Sequence, residues 1–453
     1  GLSRPSPLRN FHLDRGKIEN HLATLASDRG IDFRDGTSVS GVDFGSDRHT
    51  VSFTRNGKVQ TLETRWVVDA SGRQGFMRNM LGVGIDLPID TGASWFRTPE
   101  RLMIDEWSDD QAWRAQVPAG TRWRSTISFV GKGYWIWIIN LASGGASVGV
   151  VADPDYVPWE RIRRYDPLLD WLRETEPQLA AHLPESETDL LDFMKRKDFS
   201  RTCTRAFSRQ RWALTGEAAV FLDPLYSTGH DTGAISNTLL TNLIARDLDG
   251  EGGSGFSQRV RAYNRVLLGF VQLALDLFPK QLVVYGQPQA TGAKFMWDNS
   301  TYLSMLVNLF RNDGILNPEL MRSIQPSLSL YAQMNSFMQE RFREWGTSDK
   351  DLRGAGIPIA SDSLFEHLFT TPLQPMTHAE LHDHIRDSVA RLQTMSQDMI
   401  MRVSEAAGEP APEPPYTLSA KTGEELVMWS DYGRLTGPPA QLEPQPADGW
   451  LIR

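Results

Sequence analysis

Twenty residues in the middle of the chain constrain its fold more than any other stretch. Residues 214–233 read LTGEAAVFLDPLYSTGHDTG. A short apolar strand over 211–216 runs into a loop with an Asp-Pro between glycines, and a helix is predicted from about 233 to 248. Pro224 has no N–H and a fixed φ, which stiffens the loop. Gly229 and Gly233 lack a Cβ, so the backbone there can lie flat against a planar group. Free N–H groups at the start of the following helix suit an anion or an electron-rich ring edge. A plain strand–loop–helix connection is the competing reading, although this residue order is uncommon in one.

A second segment, VVDASGR over 67–73, has the same character. A buried strand stops at Asp69 and opens into Ser71 and Gly72, where a backbone can approach a ligand closely. The same Asp-x-Ser-Gly order also serves ordinary strand-to-loop turns, and on these residues alone both readings stand.

Around these segments helix and strand patterns alternate. Residues 12–29 read as a helix with Ile18, Leu22, Leu25 and Ala26 on one face and Gly30 at its end. Strands at 39–44 and 51–54 lead to a turn at Asn56-Gly57 and a return strand from Val59, a hairpin signature. A short strand at Trp66, Val67 and Val68 precedes the Asp69 turn. Residues 85–155 carry aromatics at strand-like spacing and predict an antiparallel sheet with long insertions, including two strands around a turn over 134–152. Residues 159–183 read as helical around Leu168, Leu169, Trp171 and Leu172. Past the Gly/Ser run at 252–255 the chain becomes amphipathic helix over 256–407, then a Pro/Glu linker at 409–415 and a polar tail.

Composition excludes several classes. The 453 residues carry 47 Lys+Arg against 56 Asp+Glu, a net charge of −9, which argues against a nucleic-acid partner. The single cysteine, Cys203, rules out an internal disulfide and a Cys-based zinc cluster, and it reads as an inert small residue. No run of about eighteen apolar residues predicts a membrane span, and the start shows no signal-peptide pattern, so a cytoplasmic location is expected. Asp105, Glu106, Asp109 and Asp110 read as a solvated loop face. His378, His382 and His384 come closest to metal-ligand spacing but fit a solvated helix better. His230 reads as a hydrogen-bonding loop histidine.

Taken in order, the segments at 67–73 and 214–233 resemble the flavin-dependent halogenases, the tryptophan-halogenase-like family within the FAD-dependent monooxygenase superfamily. Three further matches carry the likeness. His12, Leu13, Asp14 and Arg15 with Ile18 and Leu22 are similar to the family's Asp-Arg helix. GYWIWIIN at 133–140 is similar to its Trp-x-Trp-x-Ile-Pro signature, with Asn140 where proline is usual. LYSTG at 225–229 is similar to its Pro-Leu-x-Ser-Thr-Gly loop. The resemblance covers roughly residues 10–250.

The likeness implies a mixed α/β (α+β) chain with the FAD-binding, glutathione-reductase-like monooxygenase fold, an antiparallel substrate sheet and a helical C-terminal region. Its parts would be 1–84, a partial FAD-binding domain; 85–200, the substrate sheet; 201–252, the returning FAD-binding segment; 253–408, helical; and 409–453, linker and tail. It implies FAD held by Arg15, Asp69, Ala70, Gly72, Gly216, Asp223, Pro224, Gly229 and Gly233. Halide would sit at the amides of Thr228 and Gly229, with Tyr226 and Ser227 catalytic. Reduced FAD and oxygen would oxidise that halide, and the product would attack an aromatic or other electron-rich small molecule near Trp135 and Trp137. A separate flavin reductase is the expected partner.

The departures shape the expectation as well. No Gly-x-Gly-x-x-Gly follows a strand near residue 1, so the superfamily's opening nucleotide-binding segment is expected to be missing, and the family's catalytic lysine with it. No lysine here is given that role. In the tryptophan-specific branch a glutamate precedes the loop serine; Tyr226 stands there instead, which points away from tryptophan and toward phenol- or pyrrole-type substrates. Trp135 and Trp137 carry two readings of equal weight, core packing and a guard between substrate and flavin. A hydroxylase without halide use, and a catalytically silent binding piece, are the alternatives left open.

Overall fold

The computed structural model describes residues 11–416 apart from 116, 118–119, 358–367 and 369, so the expected tail beyond 416 lies outside the described residues. Helix α1 (Arg15–Asp28) ends at Gly30, whose φ of 74° closes it in the left-handed region as the sequence predicts. Its apolar stripe is not buried: no residue of α1 is, and Leu22 is 55% exposed. Strands β1 (Thr37–Phe44), β2 (His49–Arg55) and β3 (Lys58–Thr64) form an antiparallel meander. The β2–β3 turn has Asn56 at φ 51° and Gly57 at φ 73°, the two left-handed residues that match the twist of a two-residue hairpin.

After β4 (Val67–Asp69), α2 (Phe76–Met80) and β5 (Gly84–Asp86) comes a five-stranded antiparallel sheet in the order β10-β6-β9-β8-β7. Its strands are β6 (Gly92–Thr98), β7 (Ile127–Gly131), β8 (Tyr134–Asn140), β9 (Ala146–Ala152) and β10 (Asp192–Lys197). Helix α3 (Gln111–Arg114) lies in the insertion between β6 and β7. Asp105 in that insertion is no solvated group: it accepts the Arg122 N–H at 2.9 Å and the Arg122 Nη1 at 2.7 Å, a largely buried pair.

Successive residues of a strand face opposite sides, and here each side meets a different core. Phe96, Ile136, Ile138, Val148 and Val150 pack with Ile162 of helix α4 (Trp159–Ile162), Tyr165, Leu168, Leu169 and Leu172 of α5 (Tyr165–Thr175), and Leu179 of α6 (Pro177–Ala180). Ala93, Trp135 and Val151 face the other way, into a larger core shared with the C-terminal helices. Each fully buried Leu, Ile or Phe contributes about 1.5–3 kcal/mol, which locks the strand register.

The chain then returns. Strand β11 (Arg201–Cys203) pairs antiparallel with β5, and β12 (Trp212–Leu214) pairs parallel with β4. Helix α7 (Thr228–Leu248) begins five residues before the predicted start, so Gly229 and Gly233 sit inside its first two turns rather than in a flat loop. The chain reversal is made earlier, by Tyr226 and Ser227, which frees both glycines to be helical. Helices α8 (Gly253–Leu277), α9 (Pro288–Thr301), α10 (Val307–Arg311), α11 (Pro318–Ser323), α12 (Gln325–Thr347) and α13 (His378–Ala407) complete the fold. The Pro/Glu stretch after α13 is tied back by Tyr416, whose hydroxyl meets Ser396 Oγ at 3.0 Å. Among the described residues no helix is long and apolar enough to cross a membrane.

Candidate functional site

Parallel pairing of β4 with β12, Asp69 opposite Leu214, brings the carboxyl ends of both strands to one edge, the place where α/β sheets bind ligands. The Asp69 turn and the Gly216 turn leave that edge side by side. Asp69 is buried and both its oxygens are occupied: Oδ1 accepts Ser71 N–H at 2.8 Å and Oδ2 accepts Met77 N–H at 2.7 Å. Its carboxylate therefore shapes the turn rather than facing a ligand. Gly72 lies at φ 64° and Gly216 at φ 56°, each with open space where a Cβ would stand, and Ala70 is exposed beside them.

Side chains stitch the two turns together. Arg73 Nε donates to Glu217 Oε2 at 3.0 Å, Arg78 Nη1 to the Ala218 carbonyl at 3.3 Å, and Arg201 Nη1 to the Arg73 carbonyl at 3.2 Å. Burial, and then the charge of Arg201, push the Arg78 guanidinium down. The Pro224 loop belongs to this assembly through Arg201, which forms a bridge with Phe221.

Farther along the loop, Asp223 is buried, with Oδ1 accepting Leu225 N–H at 2.8 Å and Oδ2 left without a partner. Burial pushes its carboxyl up to about 6. Thr228 Oγ1 donates to the Asp223 carbonyl at 3.0 Å. Tyr226 at φ 60° and Ser227 at φ 59° are the one adjacent pair of left-handed non-glycine residues among those described. Each such residue costs roughly 1–2 kcal/mol, and consecutive ones call for compensation nearby. Their effect is to turn the chain abruptly into α7. The amides of Thr228, Gly229 and His230 then precede that helix's hydrogen-bond ladder, at the positive end of its dipole. Such a place can hold a small anion.

The compensation lies beneath the turn. Tyr226 Oη donates to Asp298 Oδ2 at 3.0 Å, and Asp298 in turn pairs with Lys294 at 2.9 Å, both buried on α9. Tyr226 is thus turned inward, away from any substrate at the helix start, while Ser227 is exposed. Burial and the Asp298 charge hold the Tyr226 phenol well above its ordinary value. Sequence reasoning missed Lys294 and Asp298; the available signal was a Lys–Asp pair four apart on a helix whose neighbours Ala293, Met296 and Trp297 are apolar. On the outer side, Asp231 Oδ1 accepts from Tyr302 Oη at 3.2 Å, and burial raises the Asp231 carboxyl to about 6. Tyr302 opens a π-helical turn, Tyr302–Leu306.

The remaining predicted residues are scattered in role. Arg15 is exposed and paired with its helix neighbour Glu19 at 2.8 Å; the structure does not bring it to the two turns. Trp135 and Trp137 share a face, rings 5.3 Å apart, on the side of the sheet toward the C-terminal helices. Trp135 is buried with its Nε1 unpartnered, whereas Trp137 is half-buried, donates to Ser147 Oγ at 3.2 Å and lies over Gly149. Asn140 anchors the β6–β7 insertion: its Oδ1 accepts Leu102 N–H at 2.9 Å and its Nδ2 donates to the Leu102 and Trp123 carbonyls. Cys203 is buried, and its thiol is pushed up to about 11 by burial. His384 is hydrogen-bonded to the Ser304 carbonyl, and no metal-binding group of three or more His, Cys, Asp or Glu occurs among the described residues.

Comparison with known proteins adds four findings. The profile of the tryptophan halogenase family matches residues 8–277. A flavin-dependent halogenase of Dictyostelium discoideum is 26% identical over 325 residues, covering 66% of this chain and 52% of that protein. A 1H-pyrrole-2-carbonyl-[peptidyl-carrier protein] chlorinase of Pseudomonas fluorescens is 26% identical over 236 residues, 48% of this chain and 47% of that protein. The chain thus spans about half the length of the curated relatives it matches. Among solved structures, a mutant of the halogenase PltM in complex with FAD superposes with a TM-score of 0.56 at 15% identity, covering 84% of this chain and 77% of that one, a likeness of fold.

Proposed function

The chain belongs to the tryptophan halogenase family, and from that premise we propose that it is an FAD-dependent halogenase of an aromatic or other electron-rich small molecule. One observation carries the reading: the left-handed Tyr226–Ser227 pair turns the chain into α7, and the same helix meets the glycine-lined edge of the β4–β12 pair at Ser236, whose Oγ accepts the Gly216 N–H at 3.3 Å. Halide would be held by the amides of Thr228 and Gly229, where the helix dipole and N–H groups without an i−4 partner inside α7 favour a small anion. The residues fit FAD on two grounds. Gly72, Gly216 and Gly233 leave open space that a Cβ would fill, and Arg201 Nε and Asp223 Oδ2 are a buried donor and acceptor lacking partners. Ala70, Gly72, Gly216, Asp223, Pro224 and Gly233 would hold the cofactor, with Asp69 keeping the first turn in shape. Reduced FAD supplies, with molecular oxygen, the two-electron oxidation that makes halide electrophilic.

The protein's own part is to position and to exclude water. Buried Trp135 closes the sheet side, and half-buried Trp137 offers an aromatic face against which a planar substrate can lie. Tyr226 takes no proton from substrate, since its hydroxyl is committed to Asp298. The reading calls for a separate flavin reductase as partner. The test is purified protein mixed with FAD and desalted, then supplied with a reductase, oxygen, bromide or chloride, and phenols, pyrroles and indoles. Retained yellow absorbance and a product with the halogen isotope pattern are expected. Protein that keeps no flavin, or that hydroxylates while halide is present, overturns the proposal.

A further inference from the structure

We infer that the buried Lys294–Asp298 pair is the positioning device of the anion site at the start of α7, acting through Tyr226. The identity of the anion rests on the halogenase reading; the mechanical argument rests on the network itself. Lys294 and Asp298 are 1% and 4% exposed on a helix that otherwise packs Ala290, Ala293, Met296 and Trp297 into the core. An ion pair in such a place is a poor source of stability, because desolvating two charges offsets their attraction, and apolar replacements often do as well. Its presence there calls for another role.

Every proton of the Lys294 ammonium has an acceptor: Asp298 Oδ2 at 2.9 Å, Gln339 Oε1 at 2.7 Å and the Leu277 carbonyl at 3.4 Å. It is therefore no nucleophile. Asp298 Oδ1 accepts from Gln339 Nε2 at 2.7 Å, and Gln339 is itself set by Asn335, which takes the Trp297 indole N–H. The network reaches the loop through the Tyr226 hydroxyl, which also meets the Tyr285 hydroxyl and lies on the first of the two left-handed residues that aim the Thr228 and Gly229 amides. Asp298 thus pulls on the ring of Tyr226, the ring holds the turn in its strained conformation, and the turn sets where the amides point.

The test is bromide binding to the full chain, followed by the 81Br NMR line width, in wild type, Tyr226→Phe and the double variant Lys294→Met/Asp298→Leu. The double variant removes both charges together and so leaves no buried lone ion. Leu168→Ala, a core truncation on α5 in the separate core on the other face of the sheet, is the control for a general loss of stability. Tyr226→Phe and the double variant should each weaken bromide binding about tenfold and narrow the preference among chloride, bromide and iodide, as expected for a lost hydrogen bond to a charged group. Leu168→Ala should bind bromide as wild type does. Bromide affinity within twofold of wild type in both network variants overturns the inference, as does an equal loss in Leu168→Ala. Wild type without saturable bromide binding is a different failure: it overturns the anion site and the inference together.

Discussion

Replacing Asp69 by alanine separates a turn-forming carboxylate from a ligand-binding one. The carboxylate accepts two backbone amides, Ser71 N–H at 2.8 Å and Met77 N–H at 2.7 Å. A hydrogen bond to a charged group contributes about 1.5–3 kcal/mol, and a buried donor left alone costs its full desolvation. Met77 is buried, so its amide finds no substitute and the upper part of that range applies. Ser71 is exposed, and water recovers most of its share. Asp69→Ala should therefore destabilise by about 3–4 kcal/mol. Asp69→Asn keeps one acceptor oxygen but presents an amide N–H₂ to the second donor, and should cost about 2 kcal/mol. Urea unfolding followed by circular dichroism reads both, with the midpoint lowered and the slope unchanged. FAD affinity should fall in the same order, because Gly72 and Ala70 lose their fixed turn. An Asp69→Ala cost under about 1 kcal/mol refutes the reasoning. So does lost FAD binding at unchanged stability, which would make the carboxylate a direct ligand.

Burial raises the Asp223 carboxyl from its ordinary 3.8 to about 6, so the folded state holds this proton more tightly than the unfolded one. Its contribution to stability is full below pH 3.8 and lost as pH rises through 6, a change of about 3 kcal/mol. Between pH 4 and 7 Asp223→Asn should therefore gain on wild type by about that amount in unfolding free energy measured with urea, and parallel pH curves would sink the assignment. Asn140→Ala strips partners from both the N–H and the carbonyl of buried Leu102. It should cost about 2–4 kcal/mol and speed proteolysis within 99–126; unchanged protection in that insertion would count against its anchoring role.

Local chemistry made part of this fold legible in the sequence. Asn56-Gly57 specifies its hairpin because only that turn puts two residues in the left-handed region at low cost. The alternation through 134–140 specifies β8, with Ile136 and Ile138 on one face and Trp135 and Trp137 on the other. The start of α7 was misread because glycines at 229 and 233 look like helix breakers, whereas the break is made by Tyr226 and Ser227, residues with no intrinsic preference for a left-handed backbone. The stripe on α1 was legible as periodicity, but periodicity does not say whether anything covers it.

The sequence by itself determined the two glycine-bearing turns, their order and the apolar strands that end in them, because backbone sterics and side-chain alternation act between near neighbours. Only the tertiary structure decided that these turns leave one strand edge together, joined by Arg73 and Glu217 across 144 residues. It alone also decided that the Tyr226 hydroxyl points inward to Asp298, that Asp105 belongs to Arg122, and that the Asp69 oxygens close on their own turn. A charged or hydroxyl side chain takes whichever partner burial leaves within about 3 Å, and which partner that is depends on the whole packing rather than on sequence spacing.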